Sequence, residues 1–215
     1  MKLVIADKNY SSWSMRPWVL MKHFGIDFDE ELIELARDDT RERLLARSPT
    51  GRVPCLLGVA GAPVWDSLAI CETLAELHPR LPLWPTDAAL RARARSVSAE
   101  MHAGFAALRN AMPMNIREHA PGHGATPEAL ADVARIDALW RDCLTQSGGP
   151  FLCGEFSIAD AMFAPVVMRF NTYAPTLSDG ARAYAARITA LPAVAAWIAE
   201  ARSETHVIEY YRVAK

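Results

Sequence analysis

Residues 79–87, PRLPLWPTD, divide the chain into two stretches built on different patterns. Three prolines in nine residues stop any helix or ladder strand from running through this point. Proline lacks the N–H and turns the residue before it away from the α region. Before the break, short apolar runs alternate with helical patterns. After it, apolar residues recur at three- and four-residue intervals. The expectation is an α/β domain over 1–79, a linker over 80–87 and an all-helical domain over 88–215.

In the first stretch KLVIA (2–6) reads as a buried strand, and SMRPWVLMKHFG (14–25) as a helix stopped by Gly25. FDEELIEL (28–35) reads as a second strand, and TRERLLARS (40–48) as a short helix closed by Ser48-Pro49. CLLGV (55–59) and PVW (63–65) pair as a hairpin through Ala60-Gly61-Ala62. SLAICETLAELH (67–78) is a helix with Leu68, Cys71, Leu74 and Ala75 on one face. The order is β-α-β-α-β-β-α. In the second stretch Val97, Met101, Phe105, Leu108 and Met112 predict one helix over 88–112, and Val133, Ile136, Trp140 and Cys143 another over 127–147. Ser157 with Asp160 three residues on forms a capping-box pattern before SIADAMFAPVVMRF, where Pro165 should bend the helix. A last helix near 191–202 starts on Pro192.

Other features exclude functions. With 23 basic and 25 acidic residues and no block of like charge, nothing asks for nucleic acid or an anionic membrane. No run reaches eighteen apolar residues and the start carries no secretory pattern, so the expected location is the cytoplasm. Cys55, Cys71, Cys143 and Cys153 lack C-x-x-C or histidine spacing, which reads as buried thiols and no metal.

Three stretches carry chemistry: NYSSWSMRPW (9–18), GRVPCLL (51–57) and WDSLAI (65–70). Hydroxyls gather where the first helix begins, and Ser67 opens the third. Free N–H groups and the helix dipole favour an anion at both places. Simple capping, by Ser14 and Ser67, would account for them as well. Taken in order with the late SIAD, these motifs resemble the cytosolic glutathione transferase family over the whole chain. The resemblance implies a thioredoxin-like N-terminal domain with an all-helical C-terminal domain, and glutathione as co-substrate. It also implies a small, largely apolar electrophile and a homodimer. Pro54 should be cis, leaving the Val53 backbone to pair with glutathione as an added strand would. Ser67 would take the γ-glutamyl carboxylate, Asp66 the ammonium and Arg52 the glycyl carboxylate, with Trp13 in the same site. A solvent-facing Arg52 is the alternative.

The serines are similar to the zeta-class motif Ser-Ser-Cys-Ser-x-Arg. Aligned on it, Ser11 falls on the catalytic hydroxyl, with Ser12 and Tyr10 as alternatives, and Trp13 replaces the cysteine. That replacement sets the chain apart from isomerisation of maleylacetoacetate, which stays as a second reading. A non-enzymatic, stringent-starvation-type interaction protein is a third, against which the intact Val-Pro and Asp-Ser pairs argue. The energetics suit a hydroxyl. Moving a thiol from about 8.5 to about 6.5 takes roughly 2.7 kcal/mol. A hydrogen bond to a charged acceptor gives roughly 1.5–3 kcal/mol, and the helix N-terminus roughly 0.3–1 kcal/mol. The electrophile would lie between the domains against Met101, Phe105, Arg109 and Met112, although the spacing also suits a core, above all for Phe105. His102 and His123 receive no role.

Overall fold

In β1 (Lys2–Ile5) Leu3, Val4 and Ile5 are wholly buried, as a strand covered on both faces requires. This is a computed structural model describing residues 1–59 and 61–212. Ala60 of the hairpin link and the last three residues of the second domain therefore lie outside it. β1 pairs in parallel with β2 (Asp29–Leu32), whose DEEL sequence makes a charged edge. On its other side it pairs antiparallel with β3 (Cys55–Leu57), which pairs antiparallel with β4 (Val64–Trp65), giving the order β2-β1-β3-β4. The helices α1 (Ser12–His23), α2 (Thr40–Leu45) and α3 (Ser67–Leu77) complete the expected β-α-β-α-β-β-α order. The Val53–Pro54 peptide is cis, as the resemblance implied.

Beyond the prolines the described chain is helical: α4 (Ala88–Ala103), α5 (Ala106–Ala111), α6 (Pro127–Ser147), α7 (Ile158–Tyr173), α8 (Asp179–Ala190) and α9 (Pro192–Ser203). Two expectations are corrected here. The single helix over 88–112 is two, because Gly104 caps α4 and Phe105 turns left-handed at φ 60 before α5. A Cβ on Gly104 would lie 2.8 Å from the Glu100 carbonyl, so the turn needs glycine. Helix α8 was not foreseen. It buries only Ala181, Tyr184, Ala185 and Ile188, a thin apolar stripe that stands out weakly in the sequence. Helix α7 runs through Pro165 without interruption.

The 80–87 connection is seated rather than loose. Leu83 is wholly buried, and its carbonyl accepts from the Ile158 N–H at 2.9 Å. Helix α1 packs against α3 on its own side and against α7 and α9 on the other, so the N-terminal domain is keyed into the helical one. Lys8 tightens the joint. Its ammonium pairs with Glu30 at 2.6 Å and with Glu200, its carbonyl accepts from Trp197 Nε1 at 2.9 Å, and it lies 5.2 Å from the Trp18 ring centre.

Candidate active site

Ser11 is the N-cap of α1. Its Oγ accepts from the Ser14 N–H at 3.4 Å and donates to Ser14 Oγ at 2.7 Å. Ser14 Oγ in turn accepts from the Ala6 N–H at 3.2 Å, which ties the cap to the end of β1. Ser12 is the first helical residue, and Nη2 of Arg169 from α7 lies 3.4 Å from its Oγ. The Tyr10 hydroxyl oxygen accepts from Arg117 Nη2 at 3.0 Å and from the Ile208 N–H at 3.3 Å. The segment after α9 thus uses Tyr10 as an anchor.

At the head of α3 the cap is Asp66, not Ser67. Asp66 Oδ1 accepts from the Leu68 N–H at 2.9 Å, and Oδ2 from His102 Nε2 at 3.1 Å. Asp66 is held at φ 75, ψ 133, a conformation that costs a non-glycine residue about 1–3 kcal/mol. Ser67, 1% exposed, receives Arg16 Nη1 at 3.2 Å on its Oγ. Val53 lies beyond the β1–β3 register, which ends at Cys55, and Arg52 is exposed beside it.

These residues line two adjoining clefts. One, about 670 Å³, is walled by Trp13, Arg52, Val53, Pro54, Asp66, Ser67 and His102 among others. The second, about 440 Å³, includes Ser11, Ser12, Arg109, Arg169 and Tyr211. Trp13, Arg52 and Val53 belong to both, so an extended ligand can run from Ser67 past Val53 to the serines. A further cavity of about 480 Å³, between Arg117 and Arg202, lies away from all these hydroxyls.

Positive charge dominates. The Arg16 and Arg109 guanidinium carbons lie 4.2 and 4.6 Å from the Trp13 ring centre, an arrangement that favours cation–π attraction. Burial pushes the Arg16 pKa well down, and Arg109 and Arg169 push the same way. Burial, then Arg109, brings Arg169 down to about 10, so it keeps its charge at neutral pH. Burial also lowers His102, against the pull of Asp66. The second cleft has no acid among its described lining residues.

Among the expected electrophile contacts, Arg109 lines the second cleft. Met101, Phe105 and Met112 line neither cleft and lie in the core at 2%, 7% and 0% exposure. The break after α4 is the reason, since it turns Phe105 and Met112 off the face a continuous helix would offer. Arg109 closes that break by donating to the carbonyls of Gly104 (3.0 Å), His102 (3.2 Å) and Met101. Sequence reasoning missed His102, Arg16, Arg169 and Tyr211. An arginine inside the apolar run FAPVVMRF was a legible signal for Arg169, and Arg16 stands in the serine motif itself. Nothing local marked His102 or Tyr211. Among the described residues, Asp7, Glu34 and His206 could share a cation. Each of the three already has a partner in the protein, however: His206 Nδ1 bonds Asp7 at 2.7 Å, Asp7 also accepts from the Leu35 N–H, and Glu34 pairs with Arg37.

Family models for the glutathione S-transferase N-terminal and C-terminal domains match residues 10–77 and 88–200. This chain belongs to the glutathione S-transferase family. Within it, the chain is 29% identical over 169 residues to a probable maleylacetoacetate isomerase of Caenorhabditis elegans, covering 78% of this chain and 77% of that one. It is 34% identical over 119 residues to the maleylacetoacetate isomerase of Pseudomonas aeruginosa, 54% of this chain and 55% of that one. A Burkholderia glutathione transferase homologue with bound glutathione superposes with a TM-score of 0.71 at 23% identity, over 94% of this chain and 98% of its own. A sphingomonad glutathione S-transferase complexed with glutathione gives 0.66 at 23%, over 95% and 100%. The fold is therefore that of a thioredoxin-like domain followed by a helical one. No described helix is long and apolar enough to cross a membrane.

Proposed function

We propose that this glutathione S-transferase family member binds glutathione along the two clefts and ionises its thiol for attack on a small electrophile. The observation that carries this reading is the continuity of the clefts through Trp13, Arg52 and Val53, with Ser67 and the N-terminus of α3 at one end and serine hydroxyls at the other. The γ-glutamyl carboxylate meets Ser67 and the N-terminus of α3, backed by the buried Arg16. The ammonium meets Asp66, which His102 holds in place. The cysteinyl backbone pairs with Val53, and Arg52 faces the glycyl carboxylate. The thiol reaches the N-terminus of α1, where Ser11 or Ser12 donates to sulfur. The thiol proton leaves to water. The thiolate forms the new S–C bond, and the displaced electron pair goes to a leaving group or a conjugated carbonyl, which takes up a proton from water.

Arg52, Arg109 and Arg169 around the second cleft, with no acid among its described lining, favour an electrophile bearing an acidic or strongly polar group over a wholly apolar one. Isomerisation of maleylacetoacetate is a second reading of the same thiolate, favoured by the activity named for the two relatives above. A homodimer belongs to the same proposal, supported by the exposed Trp65 on the wall of the first cleft and Leu77 at the far end of α3, as does a cytoplasmic location.

Calorimetry of reduced glutathione at neutral pH, in two buffers of different ionisation enthalpy, tests the reading. Binding with close to one proton released per site is expected. No binding would overturn it and favour an interaction protein on this fold.

A further inference from the structure

Arg169 interrupts the apolar run FAPVVMRF in α7 and is 6% exposed. Its Nη1 donates to the Pro165 carbonyl at 3.2 Å, its Nη2 lies 3.4 Å from Ser12 Oγ, and its Nε has no described partner. The charged and titratable groups around it are Arg16 from α1, Arg109 from α5, Tyr211 from the C-terminal segment and Tyr173 from its own helix. None is a carboxylate. A buried guanidinium held by one carbonyl and one hydroxyl is unfavourable unless an anion completes it. The cleft that Arg169 and Ser12 both line is where such an anion would come to rest.

The two serines differ in what their hydroxyls already do. The Ser11 hydrogen is directed at Ser14 Oγ, and its oxygen caps α1. Turning that hydrogen toward a ligand would break its bond to Ser14 Oγ. The Ser12 oxygen accepts from Arg169, and its hydrogen has no described acceptor.

We propose that Ser12, oriented and polarised by Arg169, is the hydroxyl that donates to the glutathione sulfur, while Ser11 serves as the helix cap. The inference rests on the glutathione reading above. Arg169 is a positioning residue. By occupying a lone pair of Ser12 it turns the hydroxyl hydrogen toward the sulfur, and its charge stands one hydrogen bond behind the thiolate. The 3.4 Å contact is long for a hydrogen bond, as such contacts often are before the ligand arrives. In the step itself the S–H bond breaks, its proton goes to water, and Ser12 keeps its own proton throughout.

The test is a pH titration of the bound thiolate by its ultraviolet absorbance, on the full chain, with glutathione affinity measured alongside. Ser12→Ala should raise the bound-thiol pKa by about one to two units. Ser11→Ala should shift it less and lower thermal stability instead. Arg169→Gln should raise it by about one unit, and by less when Ser12 is already alanine. Should the glutamine variant not fold, Arg169→Lys is read in its place, with a smaller rise expected because lysine keeps the charge without the planar fork. A thiol pKa unmoved by Ser12→Ala, or a Ser11→Ala shift larger than that of Ser12→Ala, overturns the proposal. So does an Arg169 variant that raises only the electrophile KM, which would make Arg169 an electrophile contact. Wild-type protein that binds glutathione with a lowered thiol pKa, while these variants leave that pKa unmoved, refutes this inference alone. Wild-type protein that binds none refutes the parent reading with it.

Discussion

Arg16 shows at the scale of one residue how a ligand site is written into a fold. Its guanidinium is 1% exposed and donates to one side-chain oxygen, that of Ser67, while its Nε has no described partner. Ser67 is therefore not the cap of α3, a duty that Asp66 performs. It is a hydroxyl held at the helix N-terminus with its hydrogen available. A hydrogen bond to a ligand carboxylate contributes roughly 1.5–3 kcal/mol. Ser67→Ala should accordingly weaken glutathione binding at least about tenfold, with the maximal rate at saturating glutathione nearly unchanged. Calorimetry and steady-state kinetics check the two halves separately.

At the scale of the element, α7 depends on its first turn. Asp160 accepts from the N–H groups of Leu152 and Ser157 and from the Tyr184 hydroxyl, each at 3.0 Å, so one carboxylate fixes the helix, the preceding loop and α8. Asp160→Ala would leave those donors buried without an acceptor. The expected loss is about 3 kcal/mol, read from urea unfolding. Complete burial outweighs the donors and pushes the Asp160 carboxyl up to about 6. The folded state thus takes up a proton more readily than the unfolded chain. Through this group, stability is greater at low pH and declines as pH rises from about 4 to about 6. Asp160→Asn should flatten that slope in a series of unfolding curves.

On the scale of the whole molecule, the segment after α9 folds back to wall the second cleft. Glu204 accepts from the N–H groups of Lys8 (2.6 Å) and Asn9 (3.0 Å), and His206 bonds Asp7. Tyr211 stacks on Tyr10 with ring centres 5.0 Å apart. Arg117 gathers the segment by donating to the Glu204 and His206 carbonyls and to the Tyr10 hydroxyl. Arg117→Ala should release residues 204–212. Proteolysis there should quicken at least about tenfold, since each lost bond to the guanidinium is worth roughly 1.5–3 kcal/mol. The electrophile KM should rise while glutathione affinity holds, because Ser67 and Asp66 lie in the other cleft.

By itself the sequence determined the two-part architecture, the β-α-β-α-β-β-α order and the cap at Ser157–Asp160, and its motifs pointed to Trp13, Arg52, Val53, Pro54, Asp66 and Ser67, which line one cleft. All of these are written in local signals: prolines that cannot continue an element, apolar periods, and hydroxyls at helix starts. Only the tertiary structure decided that Gly104 splits a helix and turns Phe105 and Met112 into the core. The same holds for His102 closing on Asp66 and Arg169 reaching Ser12. Those pairings join residues 36 and 157 positions apart, as subtraction of their numbers shows. No local pattern encodes such a distance, because it depends on how α1 packs between α3, α7 and α9. Charge was legible as composition, but its meaning was not. Arg109 and Arg169 count as ordinary in the sequence and become part of a cationic cleft only when packing removes water and carboxylates from around them.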